Sequence, residues 1–128
     1  LFPYHSVRDM EHRHNSMFLG TFGGMKIVGT RSQFSFSYGE LPHPFLQVTG
    51  GIGMNPEAKT EGVHYRNFFA TYLLGPFLVL NPLFTMYLLE KLGYTGPLAF
   101  QREAMEAYTY RLRELERPGV RFQMGEHG

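Results

Sequence analysis

Residues 33–38 alternate strictly, with Phe34, Phe36 and Tyr38 on one side and Ser35 and Ser37 on the other. That period of two is the period of a half-buried strand, and it predicts the aromatic side as the core side. Upstream, the apolar runs Met17-Phe18-Leu19 and Met25-Lys26-Ile27-Val28 flank Gly23-Gly24. Glycine reaches the positive φ of a tight turn without a steric cost, so this pattern predicts a hairpin. Pro42 and Pro44 interrupt regular structure, after which residues 45–49 read as a short strand ending at Gly50-Gly51 and residues 53–61 as a loop. Residues 68–73 are aromatic and aliphatic without polar alternation, the composition of a central strand covered on both faces. The polar stretch 1–16, which carries Pro3, reads as a loop with a short element.

Two helices follow. Asn81 is placed to cap a helix over residues 82–92, with Pro82 at the first position, where the missing N–H costs nothing, and Gly93 as the stop. Leu98, Met105, Tyr108, Leu112 and Leu115 form the stripe of a second helix that ends before Pro118. Residues 119–128 show no periodicity and read as a mobile tail. The expected layout is therefore a domain over 1–117 with a tail over 118–128. Strands before helices indicate α/β or α+β architecture. A parallel sheet needs helices on both faces, so the expected sheet is part of a larger domain whose N-terminal half lies outside this chain.

Composition narrows the function classes. The 128 residues are 43% hydrophobic and 18% charged, as in a folded globular protein. Twelve basic and eleven acidic residues, interspersed to a net charge of +1, give no electrostatic case for nucleic acid or an anionic membrane. The apolar run 68–80 contains Thr71, Gly75 and Pro76 and is too short for the ~20 residues of a membrane helix. With no basic and apolar leader either, the expected location is the cytoplasm.

Candidate chemistry is sparse. With no cysteine, the chain supplies neither a thiolate nucleophile nor a thiolate metal ligand. His5, His12 and His14 with Asp9 and Glu11 form the densest set of potential metal ligands, but the spacing matches no recognised zinc pattern and Arg13 opposes a cation. No metal or cofactor is expected. Gly50-Gly51-Ile52-Gly53 lacks the Lys-Ser/Thr of a phosphate loop and reads as a turn. Ser32, Ser35, Ser37 and Thr71 lack the context of an activated nucleophile.

Several motifs in order carry a family resemblance. Ile27-Val28-Gly29 through Gln33, Gly51-Ile52-Gly53-Met54-Asn55, Glu61-Gly62, and Ala70-Thr71-Tyr72-Leu73-Leu74-Gly75-Pro76 through Asn81-Pro82 resemble the C-terminal half of class I glutamine amidotransferase domains. The branch is that of cobyric acid synthase and the glutaminase subunit of lipid II isoglutaminyl synthase. The resemblance covers about residues 17–92. It implies a flavodoxin-like α/β fold, a nucleophilic Cys on an elbow before Leu1, a His base on a late strand, glutamine as substrate and an ATP-dependent synthetase as partner. Leu74 stands at the resembled His position, and an aliphatic side chain accepts no proton. Gln33 replaces a second motif His, and Ser32, Gln33 and Phe34 resemble the segment that lines the glutamine pocket. His64 is the nearest histidine to Leu74 in sequence. The implied reading is a glutaminase-like portion with impaired catalysis. The alternative is a non-catalytic domain of the same fold that binds an amino acid or a partner.

Overall fold

The computed structural model describes residues 2–125. Among them the chain forms β1 (Tyr4–Arg8), β2 (His14–Phe22), β3 (Met25–Gln33), β4 (Ser35–Gly39), β5 (Pro44–Gly50), β6 (Thr60–Tyr65) and β7 (Phe68–Ala70), then α1 (Phe77–Leu80), α2 (Pro82–Lys91) and α3 (Gln101–Leu115). The predicted hairpin is present: Phe22 pairs with Met25 across Gly23-Gly24, and Gly23 has φ +58°. The strand over 45–49 is present with one more residue at each end, α2 starts at Pro82 as expected and stops one residue early at Lys91, and the striped helix runs over Gln101–Leu115.

The architecture is mixed α/β, with a five-stranded sheet ordered β3-β2-β5-β6-β7 and a two-stranded sheet of β1 and β4. Every strand pair among the described residues is antiparallel. The expected parallel sheet is thus not what this segment forms. Parallel neighbours need crossovers of a dozen or more residues, whereas the β2–β3 and β6–β7 connections are tight turns.

The sheet curls strongly. Lying flat, β3 and β6 would be three strand spacings apart, roughly 14 Å. Yet Arg31 on β3 and Glu61 on β6 form an ion pair. Part of the bend arises where the β2–β5 register shifts between Leu19 and Gly20. A Cβ on Gly20 would stand 2.5 Å from the Gln47 carbonyl oxygen, so only glycine admits this approach. Past β7 the chain returns to β3, where the Leu74 N–H donates to the Thr30 carbonyl at 2.8 Å and draws the curl toward closure.

Cross-strand register decides which side chains face inward. Phe18 lies opposite Gly29, Ser16 opposite Arg31 and His14 opposite Gln33, so these share the inner face with Ile27. Phe18, Ile27, Phe45, Leu46, Leu73 and Phe84 of α2 form the apolar part of that interior. On the outer face, Leu19 and Val28 pack beneath Tyr108 and Leu115 of α3. Strands β2 and β3, not residues 68–73, are therefore the ones covered on both faces.

Four expectations are corrected. Within residues 68–73 only β7 is a strand, at the sheet edge, with Phe68 50% exposed. The chain leaves the ladder after Ala70 because Thr71 and the Tyr72 N–H turn to the Glu61 carboxylate. In β4 the alternation is right and its direction reversed: Ser37 is fully buried while Phe36 and Tyr38 are half-buried, because the interior they adjoin is polar. The stretch over 1–16, read as a loop with a short element, contains two strand segments, β1 and the start of β2. Asn81 precedes α2 but makes no side-chain cap. Its buried amide instead accepts from the Val28 N–H and donates to the Val28 carbonyl, both at 2.8 Å, covering the edge of β3 as a neighbouring strand would.

The segment after α3 also meets the body. The Met17 N–H donates to the Phe122 carbonyl at 2.8 Å and the Met124 N–H to the Asn15 carbonyl at 2.9 Å. Gly50 makes room for the Phe122 ring, which a Cβ would meet at 2.2 Å. The part of the expected mobile tail up to Met124 is therefore pinned along β2, and residues 126–128 of it lie outside the described residues. None of the described helices is long and apolar enough to cross a membrane.

Candidate functional site

The polar part of the interior is organised by two charged side chains. Arg31 points inward because it keeps step with Ile27 and Gly29 along β3, and the curl brings Glu61 to meet it. Both side chains are 0% exposed. The guanidinium donates to one Glu61 oxygen and to the carbonyls of Ile52 and Gly53. The other Glu61 oxygen accepts from Thr71 Oγ1 at 3.0 Å and from the Tyr72 N–H at 2.7 Å. A buried charge is tolerable only when paired and hydrogen-bonded in this way. Burial pulls the Arg31 pKa below its ordinary value, while Glu61 acts to raise it.

This frame fixes the segment that leads to residue 74. Glu61 holds Thr71 and Tyr72, and the bond from the Leu74 N–H to Thr30 holds the next turn of chain. The Leu74 side chain is left 45% exposed, so the position faces outward from a rigid support.

Beside the frame lies a cavity of about 240 Å³ lined by Tyr4, Ser37, Met54, Val63, Ala70 and Tyr72, among others. Ser37 Oγ is 2.9 Å from Ser6 Oγ and 2.9 Å from the Tyr72 hydroxyl, and Ser6 Oγ is 3.3 Å from the Tyr72 hydroxyl. Asn55 locks this wall from behind by donating from Nδ2 to the Ser37 carbonyl at 2.8 Å.

The residues singled out in the sequence have varied placements. Ser32 is exposed on the outer face of β3, Gln33 points into the interior, and Phe34 lies under the Arg13 guanidinium at 4.7 Å. Gln33 Nε2 donates to the Ser35 carbonyl, whereas Oε1 is buried without a partner among the described residues. His64 sits on β6, its ring stacked on Phe69 at 4.2 Å and its Nε2 3.0 Å from the Arg66 carbonyl. His5 stacks on Tyr38, His12 Nδ1 is 2.9 Å from Asp9 Oδ2, and His14 Nε2 is 2.9 Å from Ser16 Oγ. The three histidines of the proposed cluster thus engage different partners, and no three metal-type side chains gather among the described residues. Burial first, and the Arg31 charge second, push the His14 pKa below its ordinary value. In the glycine loop the carbonyls of Ile52 and Gly53 face Arg31, an arrangement suited to a cation and opposite to a phosphate cradle.

Sequence reasoning passed over Arg31 as a site residue. Its signal was parity: it falls on the same side of β3 as Ile27. Glu61 figured only as part of a motif pair, because nothing local reveals its partner thirty positions upstream.

Comparison with known proteins places part of this chain beside a glutaminase. It is 47% identical over 72 residues to subunit GatD of the glutamine-hydrolysing lipid II isoglutaminyl synthase of Staphylococcus aureus (strain N315), covering 56% of this chain and 27% of the relative. It is 38% identical over 68 residues to the subunit of the same name from Streptococcus pneumoniae (strain ATCC BAA-255 / R6), covering 53% of this chain and 25% of the relative. The matched region spans about a quarter of the length of these curated relatives. The similarity supports a related, glutaminase-like domain. No protein-family model matches the chain.

Proposed function

We propose that this chain is the C-terminal portion of a class I glutamine amidotransferase-like domain, of the cobyric acid synthase and lipid II isoglutaminyl synthase type and flavodoxin-like in its complete form. In this reading a full-length cytoplasmic protein binds glutamine and serves an ATP-dependent synthetase, with catalysis impaired in this copy. The observation that carries the reading is the 47% identity over 72 residues to a glutamine-hydrolysing subunit. The ordered motifs support it, and so does the frame by which Arg31 and Glu61 hold the segment ending at Leu74.

In the mechanism that the resemblance implies, a Cys thiolate supplied elsewhere attacks the side-chain carbonyl carbon of glutamine. A His at position 74 takes up the thiol proton and returns one to the departing ammonia; water then releases glutamate. Leu74 does neither. Losing a general acid–base group lowers turnover by about 10²–10⁴-fold without abolishing binding. Gln33 is the member of the Ser32, Gln33 and Phe34 set that points inward, its Oε1 buried without a partner among the described residues.

Leu74 at the resembled base position also favours a second reading, a non-catalytic domain that binds an amino acid or a partner. A glutaminase assay on the full-length protein with its synthetase, run beside Leu74→His, separates the two. Weak ammonia release that rises in Leu74→His is the expected result. Family-like release from the unmodified protein overturns the assignment of position 74, and silence from both supports the second reading.

A further inference from the structure

We propose that the outer edge of β1 pairs with the same edge of a second copy of this chain. The ladder between β1 and β4 shows which backbone groups are free to do so. Ser37 of β4 spends both its backbone groups on its other side: its N–H donates to the Met54 carbonyl at 2.9 Å, and its carbonyl accepts from Asn55 Nδ2 at 2.8 Å. Opposite residues of an antiparallel pair alternate between hydrogen-bonded and non-hydrogen-bonded. Ser6 and Ser37 are therefore a non-hydrogen-bonded pair, and His5 with Tyr38 and Val7 with Phe36 are the bonded ones. The next residue in step with Val7 agrees, since the Asp9 N–H donates to the Phe34 carbonyl at 2.7 Å. The backbone groups of Tyr4, Ser6 and Arg8 thus point away from β4. The Tyr4 N–H turns back to the Phe2 carbonyl, whereas the N–H groups of Ser6 and Arg8 and the carbonyls of all three meet no partner among the described residues. Every residue of β1 is exposed.

The edges of the five-stranded sheet are managed: Asn81 and Leu74 cover β3, and β7 is three residues long. By contrast β1 holds no proline between Tyr4 and Arg8 and runs against β4 without a register shift. An open, regular edge of this kind is a template for a further strand. The sequence of β1 selects its own copy as that strand. About a two-fold axis at Ser6, antiparallel pairing joins Ser6 to Ser6 of the second copy by two N–H to carbonyl bonds and sets Tyr4 opposite Arg8 at both ends. This is the register that engages all five residues of both strands. Opposite residues share a face, so the guanidinium of Arg8, exposed and without a partner among the described residues, meets the Tyr4 ring of the other copy as a cation–π pair. On the other face Val7, 51% exposed, is covered by His5 of the other copy. Five residues a side make a short ladder, so the association is weak and depends on protein concentration. Neither glutamine nor position 74 enters, so the failure of this inference and the failure of the glutaminase-like reading are separately visible.

The test is hydrogen exchange at single amides of the full-length protein, read beside sedimentation from micromolar to millimolar protein. At low concentration the His5 and Val7 amides are expected to be protected by β4 while those of Ser6 and Arg8 exchange freely. At high concentration a dimer is expected, and the Ser6 and Arg8 amides become protected with it. Arg8→Pro, which removes an outward N–H and leaves the bonds to β4 in place, is expected to weaken dimerisation about thirtyfold, the factor for the two neutral hydrogen bonds lost. Should Arg8→Pro not fold, Tyr4→Arg, which sets like charges opposite each other at both ends, is expected to weaken dimerisation in its place. A protein that stays monomeric, a dimer whose Ser6 and Arg8 amides remain unprotected, protection of those amides at every concentration, or undiminished dimerisation in the folded variant overturns the proposal.

Discussion

The interior of the curled sheet has two ends held by different physics. At one end Phe18, Ile27, Phe45, Leu46, Leu73 and Phe84 interlock by shape, and stability comes from apolar area removed from water. At the other, Ser16, Arg31, Gln33, Ser37, Asn55 and Glu61 are just as buried but held by particular partners. The first end tolerates replacement by apolar side chains of similar volume. The second tolerates almost none, because each lost partner strands a buried donor, acceptor or charge. Glu61, the loop carbonyls of Ile52 and Gly53, and Thr71 and Tyr72 meet at the second end, so exact pairing is used where these motif residues must be positioned, while Ile27 and Leu73 of the same motifs are packed by shape at the first.

The comparison is broken most directly at the ion pair. Glu61→Ala leaves the Arg31 charge buried and unpaired and is expected to destabilise the fold by about 3–5 kcal/mol. Removing both charges in Arg31→Met with Glu61→Leu is expected to recover much of that loss, measured as a denaturation midpoint. No recovery in the double variant would mean that the hydrogen bonds to Ile52, Gly53, Thr71 and Tyr72, and not the charges, hold this end.

At the apolar end Leu46→Ala is expected to cost about 3 kcal/mol, within the range for large-to-small core changes. Leu46→Met, which keeps the volume, should cost less than about 1.5 kcal/mol. Equal losses from the two would remove the distinction between the ends.

Asn81→Ala tests the amide that covers the β3 edge. It leaves the Val28 N–H and carbonyl without their partner and is expected to cost about 1–3 kcal/mol. Faster hydrogen exchange at the Val28 amide distinguishes this from the loss of a helix cap, which would act on the first turn of α2.

The smallest effect is expected from His14, which is folded with a pKa below its ordinary value of 6.5. The unfolded chain then binds the proton more tightly, so stability is complete above pH 6.5 and declines as the pH falls through the interval down to the folded value. Comparing denaturation midpoints of the unmodified protein and His14→Gln at pH 7.5 and pH 5 isolates this part. The variant should lose less stability on acidification, and identical slopes would show that His14 does not titrate differently in the fold.

Legibility followed the range of the interactions. Gly23-Gly24 between two apolar runs determined the hairpin, Pro82 and Gly93 bracketed α2, and the apolar stripe determined α3, because turn sterics and side-chain periodicity act within a few residues. The ordered motifs likewise point to a glutaminase-like domain by themselves. What the sequence left open was decided across the sheet. Ser37 and Phe36 alternate in either orientation, and only the polar interior opposite β4 turned the serine inward. The apolar run 68–73 looked central, yet Glu61 drew Thr71 and Tyr72 out of the ladder and left β7 at the edge. The pairing of Arg31 with Glu61 depends on a curl set by the register of strands far apart in the chain, as does the hydroxyl cluster of Ser6, Ser37 and Tyr72. Local chemistry wrote the elements, and long-range register decided which of their faces became the interior.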